Sequence, residues 1–343
     1  ACLVGSEMCI RDRERLLFGG LTGLVVTFLL MLFILPLLRK LKAGQEILCF
    51  VTLHEGKKGT PTMGGTAILG GLTAAACLTV AGSSRLAGVT MAITLAYGVL
   101  GFLDDYIKVK FHRNLGLTST QKAVFQFLIA VVAAFKAYTD PAVGGILYIP
   151  FARREIDIGF LIVPLVIVAF LGFTNGVNLT DGIDGLASSV SAAVTAAIAV
   201  LITIDASAYD MAGRFEIAEE MGNLAVIAAS ATGCLMSFLI FNAYPAKVFM
   251  GDTGSMALGA LIACLAVFSK NTVALVIPCL MFVFSALSVM IQVAVFKLKK
   301  KRVFLMAPFH HHLQMKGWSE PRICIVYTAI TLIGILVLFL GVV

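Results

Sequence analysis

Charge is what this chain is short of. Asp, Glu, Lys and Arg make up 13% of its 343 residues, about half the roughly 25% of a water-soluble domain. Apolar residues reach 59%, more than a soluble fold of this size can hide from water. Metal-type cysteine spacing is missing too. The eight cysteines are scattered, with no CxxC and no histidine at zinc-ligand spacing, which excludes a zinc ribbon and leaves inert buried thiols. No internal repeat, low-complexity linker or Walker sequence is present. The basic excess is a formal +7, which suits loops lying against anionic lipid and gives no reason to invoke nucleic acid.

What the chain does have is long apolar runs. A helix needs about 20 apolar residues to cross roughly 30 Å of hydrocarbon. Ten such runs occur, at about 16–38, 62–82, 86–103, 121–138, 159–177, 185–204, 221–241, 253–269, 272–296 and 323–343. The expected fold is an all-α integral membrane protein of about ten transmembrane helices. Residues 16–343 form a single polytopic domain, and residues 1–15 read as a disordered tail or a sequence artefact. Lys122 and Lys136 bracket the short fourth run, and Pro278 is expected to kink the ninth. Residues 146–158 suggest a short β-hairpin.

Lys and Arg crowd into alternate loops, among them Arg39, Lys40, Lys57, Lys58, Lys108, Lys110, Lys122 and Lys297 to Arg302. That side is therefore cytoplasmic, and both termini lie outside. All five histidines (His54, His112, His310, His311, His312) fall on the same side, as do Asp104, Asp105, Asp181, Asp184 and Asp252 at span ends. Ionisable groups at membrane depth are costly and mark function, so the active site is expected at the cytoplasmic face. A secondary transporter would hold such groups near the bilayer midplane. Here the span middles are free of them, apart from the short fourth.

Five stretches carry the chemistry. Gly101-Phe102-Leu103-Asp104-Asp105-Tyr106-Ile107-Lys108 sets two carboxylates at a helix end, where Mg²⁺ and substrate phosphates can share oxygens; the plain alternative is an Asp105–Lys108 ion pair. Between spans five and six, Asn175, Asn178, Asp181 and Asp184 alternate with glycines, side chains suited to a nucleobase and ribose or to a tight turn. Phe249-Met250-Gly251-Asp252-Thr253-Gly254-Ser255 opens span eight, where free N–H groups can meet phosphate and Asp252 a metal, or where Asp252 merely caps the helix. Ala307-Pro308-Phe309-His310-His311-His312 puts imidazoles near phosphate, although three adjacent histidines cannot share one helical face. Lys57-Lys58-Gly59-Thr60-Pro61-Thr62-Met63-Gly64-Gly65 is basic and glycine-rich.

Taken together, KKGTPTMGG, GFLDDYIK, FTNGVNLTDGIDGL, FMGDTGS and APFHHHLQ resemble, in order, the motifs of the phospho-N-acetylmuramoyl-pentapeptide transferase family over residues 16–343. The resemblance implies a Mg²⁺-dependent phosphoglycosyl transferase, a homodimer of the bacterial inner (plasma) membrane. Its substrates would be UDP-N-acetylmuramoyl-pentapeptide and undecaprenyl phosphate, its products lipid I and UMP. It implies Asp252 as the Mg²⁺ ligand and Asp104 as the base, with Asp105 beside it. Lys122, His310 and His311 complete the implied catalytic set. Lys57, Thr62, Asn175, Asn178, Asp181, Asp184, Phe249 and His312 are the implied substrate contacts, with Phe249 stacking on uracil.

Overall fold

The computed structural model describes residues 2–41, 59–80, 82, 84–111 and 116–342, with residues 2–13 by backbone only. Lys57, His54 and His112 lie outside the described residues. The helices are α1 (Cys2–Lys40), α2 (Gly65–Thr79), α3 (Arg85–Lys110), α4 (Ser119–Thr139), α5 (Ile162–Thr180), α6 (Leu186–Met211), α7 (Phe215–Asn242), α8 (Gly251–Phe268), α9 (Leu280–Lys299), α10 (Phe309–Met315) and α11 (Glu320–Val342). A hairpin of β1 (Ile146–Ile149) and β2 (Arg154–Asp157) pairs Ile146 with Asp157 and Ile149 with Arg154, as the sequence suggested.

Among the described residues, nine helices are long and apolar enough to cross a membrane, one fewer than expected. The exception is α2, with 15 residues, or about 22 Å at 1.5 Å per residue. Its expected first turn is spent elsewhere. Residues 61–64 run beside residues 249–250, with Phe249 N–H donating to Pro61 O (2.8 Å), Gly64 N–H to Phe249 O (2.9 Å) and Gly65 N–H to Met250 O (2.9 Å). The ninth run also differs. Pro278 does not kink the helix but precedes it, after a 3₁₀ turn at Ala274–Val276, because proline has no N–H to give a helical ladder and is tolerated at or before the first turn but not in the interior.

Helix α8 is the axis of the bundle. Nearly every side chain it carries is buried, and α2, α3 and α5 pack against it. In lipid there is no hydrophobic drive between helices, so small residues that let backbones touch take its place. A Cβ on Gly101 of α3 would lie 2.2 Å from Asp252 O, and one on Gly259 of α8 would lie 2.5 Å from Thr174 Cα of α5. Large apolar side chains on α1, α4, α9 and α11 point outward, as lipid-facing surfaces do.

The two ends of the bundle differ. At one end Glu220 of α7 accepts from Ser84 Oγ and the N–H groups of Arg85 and Leu86, closing the N-terminus of α3. There Lys270 also donates to Glu155 and Tyr209, pinning the hairpin. The other end gathers the conspicuous carboxylates and histidines.

Candidate active site

The C-terminal ends of α3 and α5 meet the N-terminal ends of α4 and α8 at this second end. Asp104 and Asp105 stand on the last turns of α3, Asp252 on the first turn of α8. One ligand oxygen from each of the three lies within 4.8 Å of the others. Two lysines knit the group together. Lys122 Nζ is 2.6 Å from Asp252 Oδ2 and 2.9 Å from Asp104 Oδ2. Lys108 Nζ is 2.7 Å from Asp104 Oδ2, 3.2 Å from Asp252 Oδ2 and 3.9 Å from Asp105 Oδ1. Asn178 Nδ2 donates to Asp252 Oδ1 at 3.0 Å and to Ser255 Oγ at 2.9 Å.

The three carboxylates have different surroundings. Asp104 is fully buried, and its Oδ1 accepts the Leu117 N–H at 2.7 Å. Asp105 accepts from Asp252 N (3.2 Å), Thr253 N (2.9 Å) and Thr253 Oγ1 (2.7 Å). It thus caps α8 from a neighbouring helix, satisfying N–H groups that the first turn of any helix leaves orphaned. Asp252 is the most open, with 17% of its side chain exposed. Thr62 is buried beside this junction: a Cβ on Gly251 would meet Asp105 Oδ2 at 2.6 Å and Thr62 Oγ1 at 2.8 Å.

Replacing Asp105 with asparagine leaves one acceptor but turns an N–H₂ toward backbone donors. Hydrogen bonds to a charged group contribute about 1.5–3 kcal/mol each. The expected outcome is a lower melting temperature together with slower turnover, both measurable on purified protein. A variant with wild-type melting would show that Asp105 does not hold α8.

The loop from Asp181 to Gly185 joins α5 to α6. Removal from water pushes the Asp181 carboxyl well above its ordinary range, and the charges of Asp252 and Asp105 add to this; the Gly251 N–H donated to it works the other way. Asp184 is buried, accepting the Ala246 N–H at 2.9 Å and donating its own N–H to Glu320 Oε2 at 3.2 Å. It ties the loop to its surroundings. Gly182 carries the histidines: a Cβ there would lie 2.2 Å from His310 Nε2 and 3.2 Å from His311 Nε2. A side chain at 182 would push α10 away.

His310 and His311, with ring centroids 4.2 Å apart, therefore reach the Asp181 loop. His312 does not. It turns to the other face of α10, accepts the Leu305 N–H at 3.1 Å and stacks on Phe309. Desolvation, then the charge of Lys316, lowers its pKa. Asn175 lies about one turn before Asn178 and donates to Gln126 of α4 at 2.9 Å. With Lys122 and Gln126 it lines a groove of about 620 Å³ between α4 and α5, otherwise walled by residues such as Val124, Phe127, Leu128 and Leu171. Phe249 is half-buried in the strand-like contact with residues 61–64.

Lys108 is the principal member that sequence reasoning undervalued. Local spacing suggests an i,i+3 pair with Asp105, whereas its closer contact is the i,i+4 one to Asp104. Gln314 and Glu320 were passed over, and only the burial of an acidic residue opening α11 signals them.

Oxygen-rich carboxylate clusters beside ammonium groups suit a hard divalent cation and phosphate together. On a polytopic helical scaffold they define a membrane-embedded phosphoglycosyl transferase, and residues 86–270 match the family model described as Glycosyl transferase family 4. Residues 57–69 match signature 1 of phospho-N-acetylmuramoyl-pentapeptide-transferase. The chain is 43% identical over 333 residues to the phospho-N-acetylmuramoyl-pentapeptide-transferase of Geobacillus kaustophilus (strain HTA426), covering 96% of this chain and 97% of the relative. It is 40% identical over 338 residues to that of Bacillus subtilis (strain 168), covering 96% and 97%. The chain belongs to the phospho-N-acetylmuramoyl-pentapeptide-transferase family.

Proposed function

We infer that this chain, a multi-pass protein of the bacterial inner (plasma) membrane, transfers phospho-N-acetylmuramoyl-pentapeptide from its UDP donor to undecaprenyl phosphate. An oxygen of the lipid phosphate attacks the sugar-bearing phosphorus of the donor. The pyrophosphate P–O bond breaks, UMP departs, and lipid I remains in the bilayer. The observation that carries the reading is the Asp104–Asp105–Asp252 cluster with two lysines, set in a chain that matches a family member over 96% of its length.

The donor set fits Mg²⁺: three carboxylates converge and the Asn178 amide orients one of them. Asp252 is the ligand we assign, with Asp104 and Asp105 at hand. Bound there, Mg²⁺ would neutralise phosphate charge and ease the departure of UMP. Lys108 and Lys122 keep positive charge where two anionic groups must meet. Asp104 is assigned as the base for the acceptor phosphate. Its Oδ2 is held by both lysines, so it is released for that task as the substrates' phosphates draw the ammonium groups away. His310 and His311 contact phosphate from across Gly182. Asn178, Asp181 and Asp184, with Phe249, form the nucleoside side; Lys57 and Thr62 lie toward the phosphates, and Asn175 and His312 complete the proposed substrate contacts. Of these, Asp184 and His312 act through the loops they anchor. The distribution of Lys and Arg supports a site at the cytoplasmic face and, with the short α2 crossing as a tenth span, both termini outside; the family resemblance supports a homodimer.

The test is UMP release from UDP-N-acetylmuramoyl-pentapeptide by purified protein in detergent, with and without undecaprenyl phosphate and Mg²⁺. Release that requires both additions is expected. Folded protein that releases UMP only from an N-acetylglucosamine donor would overturn the substrate assignment.

A further inference from the structure

Gln314 closes the APFHHHLQ stretch without a role assigned to it, and Glu320 lies outside every motif discussed above, yet both are at least nine-tenths buried, at 8% and 9% exposure. On α10, His311 and Gln314 stand three residues apart and so share a face. His311 Nδ1 is 2.7 Å from Gln314 Oε1. Gln314 Nε2 donates to Glu320 Oε1 at 3.4 Å, and Glu320 Oε2 accepts the Asp184 N–H at 3.2 Å.

With Glu320 ionised, these three contacts are satisfied together by one assignment of donors and acceptors. The Asp184 N–H can only donate, and a Glu320 carboxylate can only accept. The Gln314 amide must then turn its N–H₂ to Glu320 and its oxygen to His311. Only an N–H on Nδ1 can meet that oxygen, so neutral His311 carries its proton on Nδ1 and keeps a lone pair on Nε2. Nε2 is the atom that lies over Gly182, beside the Asp181 loop.

We propose that Gln314 and Glu320 are positioning residues, which relay the backbone of the Asp184 loop into the tautomer and ring orientation of His311. Which imidazole nitrogen is available is set by the hydrogen bond the other one makes. With Nδ1 committed, Nε2 accepts when the ring is neutral and donates to phosphate oxygen when it is protonated. Among the described residues, these contacts bring to the ring His310 on α10, Asp181 and Asp184 on the loop at Gly182, and, through Gln314, Glu320 on α11. The relay also explains why an acidic residue is buried at the start of α11: it ties the histidine helix to the Asp184 loop, so that the two cannot shift independently. The inference rests on the reading that His311 serves the phosphates.

Steady-state UMP release by His311→Ala, Gln314→Met and the double variant Gln314→Glu with Glu320→Gln, each across a pH series, tests it. Gln314→Met matches glutamine in volume but offers Nδ1 no oxygen. It is expected to lower kcat about tenfold or more, the scale of lost outer-shell partners, with KM for both substrates little changed. Gln314→Glu, paired with Glu320→Gln so that the new carboxylate meets an amide donor and not a second carboxylate at 3.4 Å, returns an acceptor to Nδ1 and should recover most of kcat. The negative charge thus brought against the ring favours protonated imidazole, so the histidine limb of the profile should move to higher pH. Wild-type kcat in Gln314→Met beside an impaired His311→Ala overturns the relay alone. A His311→Ala enzyme of normal rate overturns the histidine reading beneath it. If Gln314→Met does not fold, the presence or absence of the pH shift in the double variant decides.

Discussion

Asp252→Ala is expected to leave a folded protein with turnover reduced at least about a thousandfold, or roughly 4 kcal/mol of transition-state stabilisation. Asp252 is where the site converges. Its Oδ2 touches the ammonium groups of Lys108 and Lys122, and its Oδ1 takes the Asn178 amide. Elements α3, α4, α5 and α8 are thus joined through a single carboxylate. It is also the most open of the three acids, and so the one a cation and a phosphate can reach together. Folding should survive its loss. The first turn of α8 is held independently by Asp105, and both lysines retain Asp104 as a counter-ion. The check is UMP release beside thermal melting, with Mg²⁺ varied in each. Wild-type melting should accompany lost turnover and a lost stabilising effect of Mg²⁺. An active variant with unchanged Mg²⁺ dependence would remove Asp252 from the centre of the mechanism. Asp252→Asn separates charge from shape: the amide fills the same space but cannot neutralise either lysine, so it too should be inactive.

How much of this was legible beforehand follows from which forces act locally. Acids at span ends are conspicuous in any apolar sequence because the bilayer tolerates them only for a reason, so Asp104, Asp105 and Asp252 stood out. Lys122 stood out by itself as a blemish in the fourth span, and the family resemblance put it in the catalytic set; the contacts behind that role follow from α4 being set against α3 and α8. The role of Asp105 could not be read. A carboxylate that caps a helix some 147 residues away leaves no trace in local spacing, since its partner is fixed by helix packing. Glu320 was hidden in the same way, resembling an ordinary acidic first turn until Gln314 and Asp184 are seen around it. The splitting of the histidines was half visible. Successive helical residues diverge by about 100°, which rules out a common face, but only the loop at Gly182 decides which two turn inward. The shortness of α2 was likewise beyond an apolar count, because residues 61–64 are apolar enough for a helix and are claimed by backbone pairing with residues 249–250.

Gly101→Ala, one methyl group added outside the cluster, is expected to lower kcat about a hundredfold. The added Cβ would lie 2.2 Å from Asp252 O, 2.5 Å from Asp252 C and 2.7 Å from Thr253 N. All three are backbone atoms, so no rotamer change can relieve the contact. Helices α3 and α8 must part by something near an ångström, and overpacking of this kind costs about 1–3 kcal/mol of stability. The damage to chemistry should be larger than the damage to folding. Asp105 follows Gly101 by one turn on the same face and holds the N-terminus of α8, so the separation strains the bonds that locate Asp252. Lys122 arrives from a third helix, α4, at 2.6 Å, so parting α3 from α8 changes its distance to at least one of its two acids. A misplacement near 1 Å among reacting groups can cost on the order of 10² in rate. Gly88→Ala in the same helix is the matched control, because nothing lies within 4 Å of its added Cβ and alanine is the better helix former by about 1 kcal/mol. It should melt no lower than wild type and turn over normally. Equal activity in the two variants would show that the α3–α8 contact tolerates displacement, and that the spacing of Asp252 from Lys122 is set by something other than the glycine at 101.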